Sequence, residues 1–235
     1  MAGSGPPRSA VVTAVVAVLV TAGALVTVAL LRPRAEDSSA AEPNSAPAAS
    51  APAQECGDAP CQVLATQNVN GTTVELLAGA DGNDGRFRAY GPNSHVVIET
   101  KTTALGARLN QNSLQCVAGP VSACLVRGLN DGGMLGEVLV SRDNDWRSPE
   151  KPYFSDAGGL VLDPVAGAAP DVVVVKHQCP SGGETKCQSR PVYAEVFDLA
   201  GEQLGCTRDY TSPSQLRGWP AINLVQSDLR ACPGS

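Results

Sequence analysis

Histidine is nearly missing from this chain: among 235 residues only His95 and His177 carry an imidazole. A zinc site or a histidine-based triad has little material to draw on, and no Cys-x-x-Cys spacing compensates. Recognisable catalytic signatures are lacking too. There is no Gly-x-Ser-x-Gly elbow, His-Glu-x-x-His helix, Walker loop or Gly-x-Gly-x-x-Gly after a strand, so no catalytic residue, metal or cofactor is assigned. Positive charge is also short, with 17 basic against 23 acidic residues. Setting aside Arg8, Arg32, Arg34, Glu36, Asp37 and Glu42 leaves 14 against 20 from residue 55 onward, so the whole net charge of minus six sits there. That sign argues against nucleic acid or anionic lipid as a partner of this part. Aromatic residues make up 4% of the chain, which makes Trp146 and Trp219 stand out.

What the sequence does have is one long apolar run, Ala10 to Leu31, 22 residues without a charge. As a helix rising about 1.5 Å per residue it spans roughly the 30 Å hydrocarbon core of a bilayer. A cleaved export signal has an apolar stretch of about 7 to 15 residues and a small-residue cleavage site. Here the stretch is longer and runs into Arg32-Pro33-Arg34, so a retained anchor is the favoured reading. The first cysteine, Cys56, lies too far on to take a lipid, and Gly23 has no partner for a Gly-x-x-x-Gly pairing face.

Basic residues flank the run on both sides, so charge alone does not orient it. Cysteine usage does. All eight cysteines follow residue 55, an even number that suits an oxidising compartment and is unusual in a reducing cytosol. The expected topology is a cytoplasmic tail at 1–9, a transmembrane helix at 10–31 contacting the lipid bilayer, and an extracytoplasmic body in the cell envelope. Cys116 and Cys124 enclose seven residues, as do Cys179 and Cys187, with Gly119-Pro120 and Pro180-Ser181-Gly182-Gly183 as turn formers inside. A hairpin at each site brings the pair to cross-strand bonding distance. Cys56 and Cys61 then close a short loop and Cys206 is left to reach Cys232, although eight cysteines allow about 105 connectivities.

Residues 32–54 are dominated by Ala, Pro and Ser, with no aromatic and no large aliphatic residue. Such a segment buries too little surface to offset its ordering entropy, which predicts a disordered stalk. From 55 to 235 the apolar runs are short. TTVELLAG, RFRAYG, HVVIETKTT, SACLVRG, GEVLVSR, GLVLD, DVVVVKH and PVYAEVFDL each have the length of one strand, punctuated by Asn70-Gly71, Asp81-Gly82, Asp84-Gly85 and Asp131-Gly132-Gly133. An all-β domain is predicted, with helix confined to pieces such as 214–217 and 225–230. Arginine outnumbers lysine 13 to 4 and Ala, Val and Gly abound, a bias similar to that of high-GC bacteria such as actinobacteria.

Three stretches repeat a strand, glycine loop, strand order: Asn68 to Gly91, Val121 to Trp146, and Leu160 to Val175, the last followed by PVYAEVFDLAGEQLG. They resemble degenerate FG-GAP or VCBS blades of β-propellers, whose core runs Asp-x-Asn-Gly-Asp-Gly-x-x-Asp ahead of an apolar strand. The resemblance implies a propeller-like stack, with a disulfide-stapled β-sandwich or small barrel as the alternative. It also implies acidic calcium loops, but Val165 and Gly167 stand where oxygens are needed, and Asn68-Val69-Asn70-Gly71 lacks the later acid. Asp81-Gly82-Asn83-Asp84-Gly85 is the richest remaining oxygen cluster, and its composition is also that of a tight turn. Three blades fall short of the usual four to eight, so either another copy completes a ring or the sheets pack otherwise.

Two functional classes follow, beside a third, an inert stalked spacer or structural element with no specific partner. The favoured one is a non-catalytic module that presents loops to an envelope protein or polymer. The alternative is an envelope or extracellular hydrolase centred on Asp143, Asp145 and Glu150 around Trp146 as a sugar platform, a set diluted by Arg142 and Arg147. Trp219 is expected to plug the core or an edge.

Overall fold

The computed structural model describes residues 55–92, 94–149, 151–179 and 187–232. The expected tail, transmembrane helix and stalk, 1–54, lie outside the described residues. A small hairpin of β1 (Glu55–Cys56) and β2 (Ala59–Pro60) leads into three antiparallel meanders. The first sheet is β3 (Gln62–Val69), β4 (Thr72–Ala78), β5 (Arg86–Gly91) and β6 (Ser94–Glu99). The second is β7 (Leu114–Val117), β8 (Ser122–Asn130), β9 (Gly133–Arg142) and β10 (Asp145–Arg147), with β11 (Tyr153–Ser155) also paired to β9. The third is β12 (Leu160–Asp163), β13 (Asp171–His177), β14 (Val192–Phe197) and β15 (Gln203–Cys206). Each repeat-like stretch of the sequence falls in a sheet of its own.

Period-two alternation explains how the sheets stack. On β8, Cys124 and Val126 join Val74, Leu76, Ala78 and Phe87 of the first sheet, whereas Ala123 and Leu125 join Leu160, Leu162, Val172 and Val174 of the third. The second sheet is therefore buried on both faces. The third is as well: Val173 and Val175 turn the other way, against Leu216, Ile222 and Leu224 of the C-terminal segment. A strand covered on both faces reads as an unbroken apolar run, which is why β13 is Asp-Val-Val-Val-Val. The fold is all-β, and no sheet closes on itself among the described residues, so the small-barrel alternative is not what forms. The C-terminal segment covers the outer face of the third sheet.

A side-chain ladder joins the first strands of the meanders. Gln67 on β3 donates from Nε2 to the Leu114 carbonyl at 3.0 Å and accepts from the Cys116 N–H at 2.9 Å. Gln115 on β7 does the same to Leu162, at 2.9 and 3.3 Å. Asp163 on β12 accepts the Leu224 N–H at 2.9 Å, so the C-terminal segment takes the place of a next first strand. These three residues stand at an even spacing of 48, and so do Val69, Val117 and Val165, and Gly71, Gly119 and Gly167. The repeat is thus Gln/Asp-x-Val-x-Gly, a register that the stretches quoted above straddle without marking.

Two local expectations change. HVVIETKTT is not one strand: β6 ends at Glu99 and a single helical turn, α1 (Lys101–Ala104), follows. That turn carries Thr102 to the buried Glu137 of β9, whose Oε1 accepts both the Thr102 N–H and its hydroxyl at 3.1 Å. The pieces at 214–217 and 225–230 contract to 3-10 turns at Pro213–Gln215 and Gln226–Asp228.

All eight cysteines pair locally, as the spacing suggested. Cys56–Cys61 closes the first hairpin, Cys116–Cys124 links directly opposed residues of β7 and β8, Cys179–Cys187 bridges the β13–β14 connection, and Cys206–Cys232 pins the C-terminal segment.

Candidate functional site

The acidic loop around Trp146 is the sequence's best approach to a catalytic pair, and its geometry is that of a tight hairpin. Asp143 and Asn144 adopt left-handed φ of 52° and 65°, the conformation a two-residue turn between β9 and β10 requires. Alternation along β10 then sends Asp145 and Arg147 outward, where Arg147 donates to the Asp145 carboxylate, and sends Trp146 inward. Trp146 is 4% exposed and meets Phe87 with ring centroids 5.1 Å apart, between the first and second sheets. It is a core residue, so the sugar-platform reading of that ring is corrected. A cleft of about 530 Å³ does open beside the loop, lined by Arg142, Asp143, Asp145, Arg147 and Leu199, and the tryptophan is not part of its wall. Glu150 lies outside the described residues.

The two histidines are far apart in role. His95 is exposed on β6, facing Tyr90 across the pair. His177 ends β13 with Nδ1 3.4 Å from Asp156, whose Oδ1 already accepts the His177 backbone N–H at 2.8 Å. No serine hydroxyl is bonded to either ring among the described residues.

The Asp81–Gly85 loop behaves as a turn. Asp81 accepts the Asn83 N–H at 3.1 Å and the Asn83 side-chain amide at 2.6 Å, while Gly79 and Gly82 close it through backbone bonds. The Asn83 backbone bond, then its side-chain bond, holds the Asp81 carboxyl below the ordinary aspartate range. Oxygens in the third repeat are likewise engaged by the protein itself: Asp171 accepts the N–H groups of Val165 and Ala166 at 3.0 and 2.8 Å, and Asp163 that of Leu224. Among the described residues two clusters of metal-ligating residue types occur, Asp156 with Cys179 and Cys187, and Glu195 with Cys206 and Cys232. In both, the sulfurs are tied up in disulfides and offer no thiolate. Trp219 half-buries against the C-terminal cluster beside Gly159 and Val175, the edge plug expected of it.

One charged group stands apart, and the sequence reading missed it. Arg127, half-buried on β8, donates from Nη1 to the Leu160 carbonyl and to Gln115 Oε1. Elsewhere in the domain cations meet carboxylates: Arg88 with Glu75, Lys176 with Glu195, Arg147 with Asp145. Arg127 has no carboxylate within ion-pair distance among the described residues, and burial with no compensating acid pulls its pKa below the ordinary guanidinium value. It borders a cleft of about 240 Å³ at the seam of the second and third sheets, with Asn110, Asn112 and Ser113 as polar lining and Met134, Leu160 and Pro220 as apolar lining. The only signal in the sequence was an arginine inside the apolar run Ser-Ala-Cys-Leu-Val-Arg-Gly. Nothing there tells whether a carboxylate or a neighbouring strand's carbonyl will meet it.

No family model matches the chain, and neither a curated protein nor a solved structure does.

Proposed function

We propose that this chain is a single-pass, membrane-anchored protein whose β domain lies outside the cytoplasm and works as a binding module of a bacterial cell envelope. The apolar run 10–31 supplies the anchor and the Pro/Ala/Ser segment 32–54 the clearance from the lipid surface. The observation that carries the reading is the set of four local disulfides using every cysteine. Such usage belongs to an oxidising compartment. A binding rather than a catalytic role is supported by the fate of the polar candidates: Trp146 fills the core, Asp145 is neutralised by Arg147, and Asp163, Asp171 and Asp81 hold loops.

Within that reading the sheets are degenerate propeller blades. Three antiparallel meanders stacked face to face, two of four strands and one with β11 as a fifth, with β3, β7 and β12 side by side and tied by the Gln67 and Gln115 side chains, are the features that favour blades over a two-sheet sandwich. The stack is open: the C-terminal segment caps the third blade, in place of a ring completed by another copy.

Labelling of intact cells with a membrane-impermeant amine reagent tests the placement. Modification of Lys101 and Lys151 without lysis is expected; modification only after lysis refutes it. Photocrosslinking from the same cells is expected to capture a discrete envelope partner.

A further inference from the structure

We propose that the cleft beside Arg127 is a binding site for a carboxylate, held by the guanidinium with a short apolar body resting on Met134, Leu160 and Pro220. This deepens the binding-module reading and rests on it. A guanidinium presents its donors in a fork that fits the two oxygens of a carboxylate, and Nη1 alone is engaged by protein acceptors. The Nε and Nη2 donors have no protein acceptor among the described residues, whereas the half-buried Arg88 and Lys176 each meet an acid. A half-buried charge left without its counterion is costly, and an external anion supplies what the chain withholds.

Three features select the kind of anion. Arg127 is the one charged residue in the cleft wall, so a monoanion balances it, whereas a phosphate dianion leaves a surplus charge in a domain already negative. The wall joins amides and a hydroxyl, at Asn110, Asn112 and Ser113, to aliphatic and thioether surface, which suits a carboxylate carried on an apolar group. At about 240 Å³ the cleft takes an end of a molecule and not a whole drug-sized ligand. A free short-chain organic acid and the C-terminus of a polypeptide share that chemistry.

Isothermal titration calorimetry on the full chain in detergent micelles tests this, with four probes: butyrate, N-acetyl-alanyl-alanine, its C-terminal amide, and inorganic phosphate. Both carboxylates are expected to bind one site, with the amide and phosphate giving no saturable heat. Tighter binding of the peptide by tenfold or more identifies a polypeptide terminus; the reverse order identifies a free acid. Arg127→Met is expected to weaken the carboxylates at least tenfold. Because that change also removes contacts to Leu160 and Gln115, Asn112→Asp serves as a second variant. Asn112 is exposed and only its backbone N–H is engaged, to Asn110 Oδ1, so an acid placed there supplies the missing counterion without disturbing the fold. It should weaken binding at least tenfold at an unchanged unfolding temperature. Absence of heat from both carboxylates, equal binding of the amide or phosphate, or full affinity in both variants overturns the proposal. If the carboxylates fail while crosslinking still captures an envelope partner, the ligand class falls and the binding module stands.

Discussion

Replacing Trp146 with alanine separates a core residue from a surface platform by magnitude. The ring is 4% exposed, it packs on Phe87 at 5.1 Å, and it shares a cluster with Val74, Leu76, Leu139 and Ile98 at the junction of the first and second sheets. Truncating a buried tryptophan costs the transfer of its apolar surface plus a cavity that rigid sheets do not fill, about 3–5 kcal/mol. An exposed ring used only for ligand contact costs about 0.5 kcal/mol or less. For a domain of this size 1 kcal/mol moves the unfolding temperature by about 2–4 °C, so Trp146→Ala is expected to lower it by roughly 6–20 °C. The assay is thermal unfolding of the full chain without reductant, followed by near-ultraviolet circular dichroism. Emission from Trp146 should also be blue-shifted in the wild type. A loss under about 1 kcal/mol, with red-shifted emission, refutes the packing argument and returns the ring to the surface.

Gln115→Ala removes the side chain that bonds both backbone groups of Leu162 and also meets Arg127, so a loss of about 1–3 kcal/mol is expected in denaturant titration. Gln115→Glu keeps the acceptor, loses the donor to Leu162 and should fall between. The Cys206–Cys232 bond spans 26 residues, and removing both sulfurs with serine should cost about 3.5 kcal/mol by loop-closure entropy and free the C-terminal cap; protease cleavage near residue 220 ahead of global unfolding is the readout. Burial first, then the Asp171 charge, raises the Asp163 pKa against the lowering effect of the Leu224 N–H. An acid whose folded pKa is raised contributes stability at low pH and loses it as pH rises past its unfolded value near 4. Asp163→Asn keeps an oxygen for Leu224 and is therefore expected to be more stable than wild type at pH 7, with the difference vanishing near pH 3. A gain that persists at pH 3 contradicts this account of Asp163.

Strands whose two faces are both buried announce themselves, which is why DVVVVKH and GEVLVSR are legible as written. β3 is not, because QVLATQNV is an edge-lying strand with mixed exposure and a glutamine whose task lies on the next sheet. The 48-residue register is carried by only three positions in each repeat, too sparse to stand out until the first strands are seen side by side. The α1 turn is hidden for a related reason: β-branched threonines read as strand, and only the buried Glu137 carboxylate on β9 explains why Thr102 curls back. Cysteine spacing was far more informative. Short gaps with Gly and Pro inside them leave little choice of partner, whereas an arginine such as Arg127 declares nothing about what faces it.

Peptide mapping of the unreduced full chain, isolated from membranes with free thiols blocked at lysis, tests the central claim most directly. Four linked pairs, Cys56 with Cys61, Cys116 with Cys124, Cys179 with Cys187 and Cys206 with Cys232, and no alkylated cysteine are predicted. Alkylated cysteines at these positions would mean a reducing surrounding and contradict a β domain built for the outside of the cell.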